Sequence, residues 1–279
     1  MSQLLESISI YFEYKAPLST IAEDVEGNLY TTCMNGDVIT FKEGKPLIAY
    51  IAHGQPTSIA FDDQNFFYLA DPAAQNIISQ TQNDSLKIEI NVLVKEYEGY
   101  PLEGPNTLTY SSYLNTLFFT DSGIFGATSF ENPKGSVFYI DFEVNALKAL
   151  AYKNLAYPTG LAVSEQGYLY VAETCKNRIL RFVRNANGIY NCSTFYQFSG
   201  RFGPTAVVIN PEGLIFAGRY DFAGANGCIS VLSQKGELLT DILIDGYPEI
   251  LGLSFSKNEP NLLYIAAKNV ILKAVLKIK

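Results

Sequence analysis

The chain has 279 residues, of which 48% are hydrophobic and only 17% charged, with a formal net charge of −8. This is ample apolar material for a large core and excludes a disordered chain. An acidic balance lacks the clustered Lys and Arg that attract phosphate backbones and anionic lipid, so neither a nucleic-acid partner nor membrane insertion is expected.

The opening MSQLLESISI has no basic leader region and carries Glu6 inside its short apolar stretch. No apolar run approaches the roughly 20 residues that span a bilayer, so an intracellular, cytoplasmic protein is expected. Ile8, Ile10, Phe12 and Tyr14 then alternate with more polar residues over 7–15, the period-2 pattern of a half-buried strand.

An internal repeat follows. First strands read PLSTIAED from Pro17, QPTSIAFD from Gln55, GPNTLTYS from Gly104, YPTGLAVS from Tyr157, GPTAVVIN from Gly203 and EILGLSFS from Glu249. Each is followed by a Gly or Asn turn and a second strand: GNLYTTC from Gly27, NFFYLAD from Asn65, NTLFFTD from Asn115, GYLYVAE from Gly167, GLIFAGR from Gly213 and NLLYIAA from Asn261. Third strands such as GDVITF, GSVFYID, NRILRF, GCISVL and NVILKAV are rich in β-branched and aromatic residues.

Thr20, Ser58, Thr107, Gly160, Ala206 and Gly252 occupy equivalent positions, 38, 49, 53, 46 and 46 residues apart. That period, built from short strands, predicts an all-β, six-bladed β-propeller over 1–279. The blades run approximately 17–54, 55–100, 101–154, 155–201, 202–246 and 247–279, the last completed by 7–15. The N-terminal strand thus closes the ring, which removes a free sheet edge. The terminal KNVILKAVLKIK reads as a strand with a solvated lysine edge.

If strand order runs outward from the axis, a site belongs where first strands begin and second strands end. Ligand-facing candidates there are Thr20, Ser58, Asn106, Thr159, Thr205 and Arg219. Asp71, Asp121 and Glu173 recur at second-strand ends, where such carboxylates favour hydrogen bonding to turns. Arg219 replaces the acid in that series and has Asp221 or Asp121 as salt-bridge partners. Long Gly-containing loops at Ser122–Gly135 and Arg219–Gly227 mark the same face for binding.

Other features point away from chemistry. His53 is a lone histidine with no nucleophile motif nearby. Cys33, Cys175, Cys192 and Cys228 are scattered, too few and too far apart for zinc, and are expected as buried free thiols. Asn83 and Asn191 match the glycosylation sequon, which matters only in a secreted chain.

The stretch from EGPNTLTYSSYLNTLFFTDSG through KGSVFYID to NLAYPTGLAVSEQGYLYVAETCKNRILRF resembles the strictosidine-synthase-like and SMP-30 gluconolactonase-like propellers, and more loosely the NHL-repeat propellers. The gluconolactonase resemblance implies a channel calcium held by a Glu, two Asn and an Asp on different first strands. In this sequence those slots fall at Thr20, Asn106, Thr159 or Gly160, and Thr205, so only Asn106 survives; no cofactor is expected, with calcium as the alternative. The strictosidine-synthase resemblance implies a glutamate on the last first strand; that slot falls at Leu251 or Gly252, with Glu249 just upstream.

These losses lead to an expected function: a non-catalytic propeller binding a protein partner or small ligand through its loop-rich channel face. The alternative is a lactone or ester hydrolase, or a strictosidine-synthase-like enzyme, using Asn106 for orientation and Glu249, Asp121 or Glu173 as acid or base.

Overall fold

The computed structural model describes residues 4–82, 85, 87–200, 203–220 and 224–277. Six four-stranded antiparallel sheets follow one another along the chain. Their first strands are Leu18–Glu23, Ser58–Phe61, Pro105–Ser111, Pro158–Val163, Pro204–Ile209 and Gly252–Phe255. Each of these contacts the next, and the last contacts the first, so the six form a closed ring about an axis. The chain is a six-bladed β-propeller. Among the described residues there is no α-helix, only a 3-10 turn at Thr174–Lys176.

Packing explains why the strands are apolar runs rather than alternating patterns. Every blade is covered on both faces by its neighbours, so odd and even side chains are both buried. In the third blade Phe118 packs toward the fourth with Leu161, Leu169 and Val171, while adjacent Phe119 packs toward the second with Tyr68 and Ile77. Six such clusters exist, one at each blade junction.

Ring closure is by Leu5–Glu13, which pairs with Val270–Leu276 as the outer strand of the sixth blade. Its half-buried reading needs correction: Leu5 is buried, but Ile8 and Ile10 are exposed. An outermost strand has a sheet neighbour on one side only, and here its faces extend past the adjoining blades. For the same reason Lys273 is only half-buried rather than a solvated edge, since Leu5–Glu13 covers it.

Two insertions set the uneven repeat. A short hairpin, Glu96–Tyr97 with Tyr100–Pro101, precedes the third blade. The loop after Thr116–Asp121 lengthens that blade itself.

Candidate functional site

The face carrying the long loops is where first strands begin, and there the strands are irregular. Leu18 and Ile21 face Cys33 and Thr31, so an extra residue bulges out between them. The same shift occurs at Pro105/Leu108, Pro158/Leu161 and Pro204/Ala206. Bulges re-aim side chains and backbone; these four coincide with Thr20, Asn106, Thr159 and Thr205. Below them lies an axial cavity of roughly 280 Å3, bordered by Thr20, Thr107, Gly160, Ala206 and Gly252 near the mouth and by Glu23, Phe61, Tyr110, Phe255 and Lys257 toward the far end. Gly160 and Gly252 occupy these positions because a Cβ would lie 2.6 Å from the Cα of Ala206 and 2.8 Å from that of Thr20.

The hydroxyls at the mouth reach across blade junctions. Thr57 Oγ1 donates to the Asn106 carbonyl at 2.7 Å, and Ser58 Oγ accepts the Leu108 N–H at 3.1 Å. Thr120 Oγ1 donates to the Thr159 carbonyl at 2.8 Å, and Ser122 Oγ to the Pro158 carbonyl at 2.6 Å. Thr174 Oγ1 donates to the Pro204 carbonyl at 2.8 Å, which leaves Thr159 as the donor in its 2.8 Å contact with Thr174. Thr205 Oγ1 donates to the Ile250 carbonyl at 2.5 Å. Of the sequence-predicted ligand-facing residues, then, Ser58, Thr159 and Thr205 hold neighbouring strands. Thr20 borders the cavity, and Asn106 accepts the Thr107 hydroxyl through its side-chain oxygen at 3.0 Å.

The recurring carboxylates are buried and turned to the connector that enters their own blade. Asp71 Oδ1 accepts N–H groups of Gln55, Ala73 and Ala74. Asp121 accepts those of Glu103, Gly104 and Gly123. Burial pushes the Asp121 carboxyl above the usual range, against the lowering effect of those three N–H donors. Glu173 accepts the Ala156 N–H and pairs with Arg178 at 2.6 Å and Lys176 at 3.1 Å.

Arg219 is the same clamp with polarity reversed. Its Nη2 donates to the Ser199 carbonyl of the incoming connector, and its guanidinium lies 4.6 Å from the Phe198 ring centroid. The expected partner Asp121 is engaged elsewhere, and Asp221 lies outside the described residues, as does Asn83.

Glu249 sits half-buried in the connector just before Gly252–Phe255 and accepts the Tyr220 hydroxyl at 3.2 Å. Burial, with Glu249 beside it, raises the Tyr220 phenol. Tyr220 was not singled out from sequence, although its place one residue beyond the strand-end series was available as a signal. Thr57, Thr120 and Thr174 were missed because a single hydroxyl carries no pattern of its own. Exposed apolar residues, Phe125 and Phe130, crown the 122–135 loop. His53 is exposed on its connector. Of the thiols only Cys33 is buried; Cys175 and Cys192 are exposed and Cys228 half-buried, because two lie in a turn and an outer strand.

The mouth does not fit a divalent cation. Such ions need several oxygen ligands with carboxylate charge among them. Here the hydroxyls of Thr57, Thr120, Thr174 and Thr205 are bonded to carbonyls, Asp71 and Asp121 are filled by N–H groups and Glu173 by an N–H and two cations, so that Glu249, held by Tyr220, is left as a carboxylate beside neutral Thr20 and Asn106. Among the described residues no three of His, Cys, Asp and Glu gather to hold a metal.

The six sheets define a six-bladed propeller whose first strands begin, with four bulges, on the loop-bearing face. The family described as SMP-30/Gluconolactonase/LRE-like region matches residues 73–269, and the chain belongs to that family. Lactonase drp35 of Staphylococcus aureus (strain USA300) is 25% identical over 236 residues, covering 80% of this chain and 65% of that protein. Lactonase drp35 of Staphylococcus haemolyticus (strain JCSC1435) is 26% identical over 145 residues, 49% of this chain and 43% of the relative. The chain thus spans less than two thirds of the length of these relatives.

Among solved structures, a gluconolactonase from Xanthomonas campestris superposes with a TM-score of 0.79 at 20% identity, covering 99% of this chain and 91% of the other. The calcium-binding protein regucalcin from Agrobacterium tumefaciens gives 0.78 at 12% identity, covering 99% and 96%. At these identities the likeness is one of fold. No helix among the described residues is long and apolar enough to cross a membrane.

These relatives overturn the expectation of a non-catalytic binder, since the curated proteins that align along four fifths of the chain carry an enzyme's name. That expectation equated loss of cation ligands with loss of chemistry. Losing them removes one means of polarising a carbonyl and leaves general acid–base catalysis and neutral hydrogen-bond donors in place.

Proposed function

We propose that this protein hydrolyses lactones at the loop-bearing mouth of its channel. The observation that carries the reading is the alignment of 236 residues with a lactonase, spanning most of the blades rather than one repeat. The mouth supports it: four first strands bulge where a substrate would meet them, next to an axial cavity.

Within the mouth, Asn106 and Glu249 are the working residues, on the third and sixth blades at opposite sides of the ring. Glu249 is the general base, taking a proton from the water that adds to the lactone carbonyl. The carbonyl oxygen gains the negative charge, and the Asn106 amide is its donor. Collapse breaks the ring C–O bond, and the leaving oxygen takes a proton to give the hydroxy acid. Tyr220, donating to Glu249, holds that carboxylate in place. Asp121 and Glu173 serve the fold through their N–H and ion-pair contacts.

The test is hydrolysis of a panel of aliphatic, aromatic and sugar lactones. Turnover above the buffer rate is expected, with E249Q lowering kcat by about 10²- to 10⁴-fold. N106A is expected to act on kcat more than on KM, as lost transition-state stabilisation does. Absence of turnover across the panel would refute the reading.

A further inference from the structure

Four hydroxyls at the channel mouth are already committed to carbonyls. Four consecutive junctions, from the second blade to the sixth, are bridged by a hydroxyl of one blade donating to a carbonyl at the start of the next first strand. The bridges are Thr57 to Asn106, Thr120 to Thr159, Thr174 to Pro204, and Thr205 to Ile250, at 2.7, 2.8, 2.8 and 2.5 Å. We infer that this mouth has no resident divalent cation, and that the hydroxyl bridges hold the first strands together where a shared ion would otherwise do so.

The charge balance points the same way. A divalent cation gives up its hydration only to ligands that supply negative charge as well as oxygen. Asp71, Asp121 and Glu173 direct theirs outward to connector N–H groups, Arg219 adds a positive charge at the next equivalent position, and Glu249, bonded to the Tyr220 hydroxyl, remains. A carbonyl that accepts a hydroxyl keeps a second lone pair, but neutral carbonyls with the Glu249 carboxylate leave half of a divalent ion's charge uncompensated. The inference bears on the hydrolase reading, because neutral donors would then stabilise the oxyanion, and it rests on that reading only for its activity measurement.

The experiment is calorimetric titration of calcium and of magnesium into the chelator-treated full chain, with thermal melts in chelator and in millimolar calcium. Lactone turnover is followed in the same two buffers. Flat titrations, equal Tm values and chelator-insensitive turnover are expected. T57V combined with T205V lowers Tm, and calcium does not restore it. One-to-one binding in the micromolar range that raises Tm and is lost in N106A would overturn the inference, as would rescue of the double variant by calcium. Flat titrations without any lactone turnover would refute the hydrolase reading and leave this inference standing; turnover abolished by chelator would do the reverse.

Discussion

The two ends of the axial channel are stitched by different chemistry. At the mouth, neutral hydroxyls donate to carbonyls across successive junctions. At the far end the seam between the sixth, first and second blades is made by charged side chains bonded to neutral groups. Glu23 Oε2 accepts the Lys257 N–H at 2.6 Å, Lys257 Nζ donates to the Asp24 carbonyl at 2.7 Å, and Asn65 of the second blade reaches both the Asp24 carboxylate and the Val25 N–H. The hydroxyl bridges of the mouth carry no titratable group, while the far-end seam does. It also joins segments 233 residues apart in sequence, at the place where ring closure must be secured.

The largest effect on stability expected from this contrast is at Asp24. Its carboxylate accepts the N–H groups of Glu26 and Asn28 and the side-chain amides of Asn28 and Asn65. D24A should cost about 2–4 kcal/mol, as loss of several bonds to one charged acceptor does, measured by denaturant unfolding. A cost near zero would mean that the Asp24 carboxylate does not hold its turn or the seam to the second blade.

At the mouth, T205V keeps the shape and removes one bridge, leaving the Ile250 carbonyl short of its donor. A loss of about 1–3 kcal/mol follows if that group stays buried, and it should be the same at pH 5 and pH 8. A pH-dependent loss would erase the distinction between the two ends.

The smallest effect is the pH response of Glu23. Burial raises its carboxyl, partly opposed by the Lys257 N–H. A folded value above the unfolded one means that the folded state binds the proton more tightly. This contribution is therefore fully present below the unfolded pKa and is lost as pH rises through the raised folded value. E23Q keeps an acceptor for Lys257 without the charge, so its Tm relative to the parent should be higher at pH 8 than at pH 4. Asp37 runs oppositely: the Tyr14 hydroxyl at 2.6 Å holds it low, and its contribution fades as pH falls through that lowered value.

The propeller was legible because the repeat is written in residues that blade geometry requires. Strand-ending LY and FF pairs fill two junctions at once, as Phe118 and Phe119 do, and the recurring Pro opens three of the six first strands. The site was less legible. Thr159 and Thr205 stand where a ligand would be met, yet whether a hydroxyl faces solvent or a neighbour's carbonyl depends on the angle between blades. The structural role of Asp71, Asp121 and Glu173 could be read from recurrence; the reversed clamp at Arg219 could not, since its partner is the Ser199 carbonyl rather than a charged side chain.

The sequence by itself determined the number of blades, the strand order within each and the closing of the ring, because these follow from local periodicity and turn chemistry repeated along the chain. Tertiary structure alone decided which polar groups remain for a substrate. Hydroxyls, carboxylates and carbonyls on different blades compete for one another across junctions, and that competition is set by distances of a few ångströms between segments some 40 to 50 residues apart.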